Sequence, residues 1–309
     1  MRVLLTGATG FIGRPLSVQL LSQGFDLTVA LRKKSDFFTE NVKQISVGDF
    51  SHNIDWSSIL EEIDCIIHLA GKAHIVDSEK LDMLNEYYKI NTKSTLNLAS
   101  QAEIAGVKRL IFISSIMVNG SKSDTPFTEN DIPSPKGSYA ISKYKAEQGL
   151  FKISNKGNLD VVIIRPPMVY GVNTPGNFGR LVTLANSKIS LPFPLIKNSR
   201  SILALDNLID FIIICISHKK AANELFLISD ENDLSTTELF QNLNIAFEKK
   251  TWILPIPVNF LVFIAKLIGR EADSVRLFSS LQVDSSKAKK ILGWKAKITT
   301  SKALASIVE

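Results

Sequence analysis

At 309 residues, with 45% hydrophobic and 21% charged residues, the chain can bury a substantial core and has the composition of a globular protein rather than a disordered one. Its +6 net charge is spread along the chain, which speaks against a nucleic-acid surface and for a small anionic ligand. No repeat of solenoid or propeller period is present. Cys65 and Cys215 both fall in apolar runs and read as buried free thiols of a reducing compartment.

The chain enters a strand and a glycine turn directly after Met1, without the longer apolar stretch and cleavage site of a signal peptide, so a cytoplasmic protein is expected. Arg2 to Leu5 and Leu27 to Leu31 are short apolar runs flanking a helical pattern from Phe11 to Ser22, a β-α-β unit. Cys65 to Leu69, Leu110 to Ser114 and Val161 to Ile164 are further apolar runs, each preceded by a helix-length segment. Such alternation predicts right-handed crossovers and an α/β fold, a doubly wound parallel sheet covered on both faces.

After Arg165-Pro166-Pro167 the chain turns rich in Pro, Gly and Asn up to about Arg200, and sheet-like segments return at Ser201 to Leu205 and Leu225 to Ser229. The expected organisation is a dinucleotide-binding domain over 1–168, with 201–229 returning to it, and a smaller α/β substrate lobe from 169–200 and 230–309. Two apolar stretches fall short of a membrane span. Ile202 to Ile216 is interrupted by Asp206 and Asp210, and Ile253 to Ile268 carries Pro255, Pro257 and Lys266, so both are expected in the core.

The turn Thr6-Gly7-Ala8-Thr9-Gly10-Phe11-Ile12-Gly13 follows the first strand and opens the first helix. Glycines there close the turn, let backbone approach a pyrophosphate and seat the helix on the strand, while the helix start offers free N–H groups. The spacing is G-x-x-G-x-x-G, and a tight βα turn needs glycine for steric reasons too; the strand-turn-helix context favours a dinucleotide. At the end of the second strand, where an NAD enzyme usually carries a carboxylate, stand Leu31-Arg32-Lys33-Lys34. These cations favour NADP(H) over NAD(H), the alternative being an exposed basic turn. Asp49, after Val47-Gly48, is either an adenine contact or a loop cap.

Tyr139-Ala140-Ile141-Ser142-Lys143 follows a Pro-rich stretch at a helix start, and its i, i+4 spacing puts phenol and ammonium on one face. A tyrosine with a pKa near ~10 is a poor base at neutral pH. A nearby ammonium, together with the positive ring of an oxidised nicotinamide, is expected to lower that value, so that Tyr139 takes a hydroxyl proton as hydride leaves the same carbon. Ser115 ends the apolar run of Ile113-Ser114, at a strand end that faces the crevice of a parallel sheet, where it can hydrogen-bond the reacting oxygen.

The glycine turn, His68-Leu69-Ala70-Gly71, Asn91, the set Ser115/Tyr139/Lys143, Arg165-Pro166-Pro167-Met168-Val169-Tyr170-Gly171, and the closing Val283-Asp284-Ser285-Ser286-Lys287 and Leu292-Gly293-Trp294 together resemble an extended short-chain dehydrogenase/reductase. Within it the chain is most similar to the epimerase/dehydratase group, near the UDP-hexose 4-epimerases and the 4-ketoreductases of UDP-4-keto-6-deoxy-N-acetylhexosamines. The resemblance implies a Rossmann domain, a nucleotide-sugar lobe, a homodimer through a helix bundle, and a place in surface polysaccharide synthesis. It implies Ser115, Tyr139 and Lys143 as the catalytic set. It adds Leu69, Ala70, Gly71, Lys143 and Pro166 to the cofactor contacts from Gly7, Thr9, Gly10, Phe11, Ile12, Gly13, Arg32 and Asp49. Asn177 falls where the family holds the sugar nucleotide. Arg200, six residues before Asp206, would clamp its diphosphate, and Arg276 is a second candidate, two residues out of the usual offset from Asp284. No metal is expected.

Departures narrow the reaction. The 4,6-dehydratases carry Asp-Glu directly after the catalytic hydroxyl residue, and Ile116-Met117 stand there instead, which removes dehydration. The family's Val-Tyr-Gly reads Val118-Asn119-Gly120, a change with no mechanistic reading at this level. The expected activity is therefore hydride transfer at C4 of a UDP-hexose or UDP-N-acetylhexosamine, as a 4-epimerase. The alternative is an NADPH-dependent 4-ketoreductase; a distant third reading is a dinucleotide-binding sensor without catalysis.

Overall fold

Seven parallel strands form the central sheet: β1 (Arg2–Thr6), β2 (Asp26–Leu31), β3 (Lys43–Ser46), β4 (Cys65–His68), β5 (Arg109–Ile113), β6 (Asp160–Arg165) and, from late in the chain, Leu225–Leu227. The computed structural model describes residues 1–73, 81–187, 192–250, 252–254, 256–267 and 277–308. From one edge the strands run β3-β2-β1-β4-β5-β6 and then Leu225–Leu227. The order reverses between β1 and β4, and the crevice of a doubly wound sheet opens at the carboxyl ends beside that point.

Side chains alternate across the sheet, and both faces are buried, which is why the strands read as unbroken apolar runs. Val3, Leu5, Val29 and Ile67 face helices α1 (Gly13–Ser22) and Leu205–Ser217. Leu4, Ile66, Leu110 and Phe112 face Ser57–Leu60, Ser94–Ile104 and Gly137–Ser154. Ile202 to Ile216, expected in the core, supplies the buried Leu208, Phe211, Ile212 and Cys215.

The remainder builds a second core of Tyr170, Phe178, Phe240, Leu243 and Leu304, from helices Gly176–Ala185, Thr236–Ala246 and Thr300–Ala305. Strand Ile202–Ala204 pairs with Met168–Tyr170 here, outside the central sheet. Segment 201–229 is thus divided: its first strand serves the smaller core, whereas its helix and last strand pack on and join the large sheet. Strand Trp252–Leu254 pairs with Pro192–Pro194. The apolar stretch from Ile253 does not bear out its expected burial. Helix Val258–Leu267 leaves Phe260, Phe263 and Leu267 exposed. No helix among the described residues is long and apolar enough to cross a membrane.

Candidate active site

The glycine turn leaves β1 with Gly7 at φ +69°, a left-handed conformation in which a side chain is strained. A Cβ on Gly7 would meet the Ala70 nitrogen at 2.8 Å, and one on Gly13 the Gly7 carbonyl oxygen at 2.2 Å. Those glycines therefore hold β1, the β4 exit and α1 in close approach. At the exposed Gly10 a Cβ would meet only the Gly7 carbonyl oxygen, at 3.2 Å, so the outer side of the turn is open. Arg14 N donates to Gly10 O and Leu16 N to Ile12 O, so the amides just ahead are those that a helix start leaves for a ligand. A pyrophosphate fits this donor set and this open cradle. Phe11 and Ile12 are half-buried beside it, and Thr9 is exposed.

Arg32, Lys33 and Lys34 all extend into solvent past the buried Leu31 at the end of β2. Asp49 accepts a hydrogen bond from Ser51 N at 2.7 Å, which with the Ser51 hydroxyl holds its carboxyl below the ordinary range. It caps its own loop and also lines a groove of about 350 Å³ with Asn85, Glu86 and Lys89. The two readings of Asp49 are compatible.

At the switch point a buried relay joins three elements. Ala70 N donates to Thr6 Oγ1, and Thr6 in turn faces Nδ1 of His68 at 2.8 Å. His68 Nε2 lies 3.0 Å from Thr95 Oγ1, whose proton goes to the Asn91 carbonyl. That direction assigns the proton of His68 to Nε2. Burial, with Lys143 nearby, pushes this imidazole down to about 3, so it is a neutral structural group. Asn91 lies in a π turn, Tyr88–Lys93, whose wider coil aims its side chain off the helix axis. Its amide brackets the backbone of Lys72, accepting at 2.8 Å and donating at 3.1 Å, and also donates to Ser142 Oγ. The loop Leu69–Gly71 is thereby tied to the helix Gly137–Ser154, which carries Tyr139 and Lys143.

Ser115 ends the β5 segment and caps a short 3-10 turn, accepting from Met117 N. Its hydroxyl stands near enough to the phenol of Tyr139 to favour the phenolate, and Tyr139 packs edge-on against the buried Tyr87. Lys143, one turn on, is buried; its Nζ donates to Ile113 O at 2.8 Å, sits 4.4 Å from the Phe112 ring centre, and lies 3.5 Å from where a Gly71 Cβ would stand. The structure therefore brings Ser115, Tyr139, Lys143 and Gly71 to one crevice, with Pro166 buried behind the turn after Ser115 and accepting from Ile116 N.

The expected lowering of the tyrosine does not come from the lysine. The ammonium is spent on a carbonyl and an aromatic face, and burial pushes Tyr139 up to about 12 against the opposing pull of Ser115. Burial likewise drops Lys143 to about 8, with Glu147 pulling the other way. On these groups alone the phenol is protonated at neutral pH, so the positive ring of an oxidised nicotinamide is the charge left to favour the phenolate.

Glu147 was not singled out in the sequence, although Tyr139, Lys143 and Glu147 are spaced i, i+4, i+8 on one face. It forms a buried bidentate pair with Arg165 of β6, Nε–Oε1 2.9 Å and Nη2–Oε2 2.5 Å. Arg165 Nη1 donates to Asn119 Oδ1 at 2.8 Å, and Asn119 Nδ2 to Thr128 O. This accounts for asparagine at position 119: it completes the arginine's hydrogen bonds and anchors the loop that follows the catalytic serine.

The substrate candidates stand apart from this set. Asn177 is exposed in the first turn of Gly176–Ala185. Arg200 bridges Leu234 and Leu281 through its backbone and donates Nη1 to Ser279 O at 2.7 Å. Among the described residues no hydrogen bond links either to Tyr139 or Lys143. Arg276 lies outside the described residues.

Comparison with known proteins agrees with this geometry. The chain is 40% identical over 296 residues to a UDP-glucose 4-epimerase of Vibrio cholerae, covering 95% of this chain and 90% of that one. It is 28% identical to the N-acetyl-alpha-D-glucosaminyl-diphospho-ditrans,octacis-undecaprenol 4-epimerase of Escherichia coli O157:H7, over 92% of this chain and 88% of the other. The fold matches that of UDP-N-acetylglucosamine 4-epimerase from Bacillus cereus with a TM-score of 0.81 at 20% identity, over 100% and 98% of the two chains. Residues 3–228, which include the glycine turn and Ser115, Tyr139 and Lys143, match the family model described as "NAD dependent epimerase/dehydratase family". The chain is an extended short-chain dehydrogenase/reductase and belongs to that family.

Proposed function

We propose that the chain is a 4-epimerase of a UDP-hexose or UDP-N-acetylhexosamine. The observation that carries the reading is the gathering of Ser115, Tyr139 and Lys143 at the carboxyl end of the β5 segment, beside the open glycine turn. A bound nicotinamide dinucleotide supplies a reversible hydride acceptor. Gly7, Gly10 and Gly13 with the amides of Phe11 and Ile12 would hold its pyrophosphate, and Lys143, beside Gly71, would contact its ribose. Tyr139 removes the O4 proton and later returns it, while Ser115 holds O4 in line. Lys143 keeps positive charge in the crevice. Ile116 and Met117 offer no acid or base, so water loss from C5–C6 has no catalyst here. Asn177 and Arg200 are proposed to hold the nucleotide and its diphosphate, and the working unit is proposed to be a homodimer.

The exposed Arg32-Lys33-Lys34 run supports a second reading, reduction of a UDP-4-keto sugar with NADPH. One experiment separates the two: the dinucleotide is released from purified protein by heat and identified, and UDP-glucose and UDP-N-acetylglucosamine are supplied without added nucleotide. The epimerase turns over with a retained dinucleotide. A strict need for added NADPH and a keto substrate overturns it. A parallel arm with polyprenyl-diphosphate-linked N-acetylglucosamine tests the carrier named for the Escherichia coli relative.

A further inference from the structure

The strand Trp252–Leu254 and the helix Val258–Leu267 present an apolar surface that the proposed chemistry does not use. Trp252 and Leu254 are two residues apart and so lie on one side of the strand, and Phe260, Phe263 and Leu267 follow i, i+3, i+7 along one face of the helix. Trp252, Phe260, Phe263 and Leu267 are 55% to 70% exposed. Single exposed apolar residues are ordinary, but a Trp, two Phe and two Leu within sixteen positions are not.

Charge says what this face suits. From Lys249 to Leu267 the sequence holds three lysines and no acidic residue. Lys249 is turned inward to Asn186 and the Ser187 carbonyl, while Lys250 and Lys266 are exposed at the two ends of the apolar stretch. We infer that this face docks on a lipid bilayer bearing anionic headgroups, with the aromatic and leucine side chains entering the headgroup–acyl boundary and Lys250 and Lys266 meeting phosphates. The helix is ten residues long, so it lies in the interface and does not span. A second copy suits the face less well. A two-fold interface there would bring the lysine-flanked, acid-free segment of each copy against its own like charges.

Tryptophan fluorescence of the full chain tests the inference directly. Of the three tryptophans, Trp56 and Trp294 are buried, so an environment change at the surface reports Trp252. The protein is mixed with vesicles of phosphatidylcholine alone or with one-quarter phosphatidylglycerol, at about 0.1 M salt, and followed by emission and co-sedimentation. The expected result is a blue shift and pelleting with the anionic vesicles only. K250Q/K266Q weakens that partition roughly tenfold or more, and F260S/F263S abolishes it, both with unchanged turnover of UDP-glucose in the absence of lipid. The wild-type emission shift needs no variant, so a misfolded F260S/F263S protein would leave the test standing. Absence of a blue shift and of pelleting overturns the inference. So does lipid-free self-association that F260S/F263S disrupts, which would assign the face to a second copy. Because both readouts are independent of catalysis, failure here and failure of the epimerase reading are distinguishable.

Discussion

Replacing Glu147 by glutamine removes one charge from a pair sealed between the helix Gly137–Ser154 and β6. The side chains of Arg165 and Glu147 are 4% and 2% exposed, so solvent does not screen the change. The guanidinium would keep its charge in a site where one neutral amide replaces a bidentate carboxylate. Breaking a buried pair in this way costs about 3–5 kcal/mol, chiefly because the remaining charge is uncompensated. With a urea slope of about 3 kcal/mol/M, the midpoint should fall by about 1–1.7 M at unchanged slope. E147Q/R165M, which removes both charges, should recover most of that loss. Equilibrium unfolding of the single and double variants gives the coupling directly. A second consequence reaches the active site. Glu147 counters the desolvation of Lys143, so the pH at which that ammonium is lost should move below about 8 and the alkaline limb of kcat with it. An E147Q protein with the parent's urea midpoint and pH profile would refute the assignment of this pair as the support of the catalytic helix.

Tyr139→Phe should lower kcat by about 10²–10⁴-fold with little change in fold, as measured by steady-state kinetics and circular dichroism. Absorbance titration should place the Tyr139 phenol near 12 in dinucleotide-free protein, with a downward move on binding the oxidised dinucleotide; an unchanged value would show that the ring charge is not the activating group. Gly13→Ala places a methyl group 2.2 Å from the Gly7 carbonyl oxygen and should cost about 1–3 kcal/mol as the turn is forced open, read as weakened dinucleotide binding by calorimetry. His68 is held neutral in the fold down to about 3, whereas the unfolded chain takes up its proton near pH 6.5. Its contribution is therefore complete above pH 6.5 and should be lost toward pH 3, by up to about 1.4 kcal/mol per pH unit. Urea midpoints of the parent and His68→Asn across that range isolate the one-proton slope.

Much of the fold was legible in the sequence because the pattern that signals it is local. Apolar runs of strand length, a glycine turn that only a close strand–helix approach requires, and i, i+4 spacing of Tyr139 and Lys143 are each read within a few residues. The same locality explains what was misjudged. The run from Ile253 has the apolarity of a core segment, but apolarity says only what a segment prefers; how much of its surface neighbouring elements cover is decided by packing. The strand at Ile202 pairs with Met168–Tyr170 instead of the large sheet, a choice between partners distant in sequence.

Charges show the division most sharply. The sequence alone determined that a phenol, an ammonium and a hydroxyl would share a crevice at the carboxyl ends of a parallel sheet, since helix period and strand order fix that much. Only the tertiary structure decided how they titrate. It turned Lys143 onto the Ile113 carbonyl, packed the half-buried Tyr139 against Tyr87, and joined Glu147, Arg165 and Asn119 into one cluster from three separate parts of the chain. A pKa depends on desolvation and on neighbours brought together by folding, and neither is written in the spacing of residues along the chain.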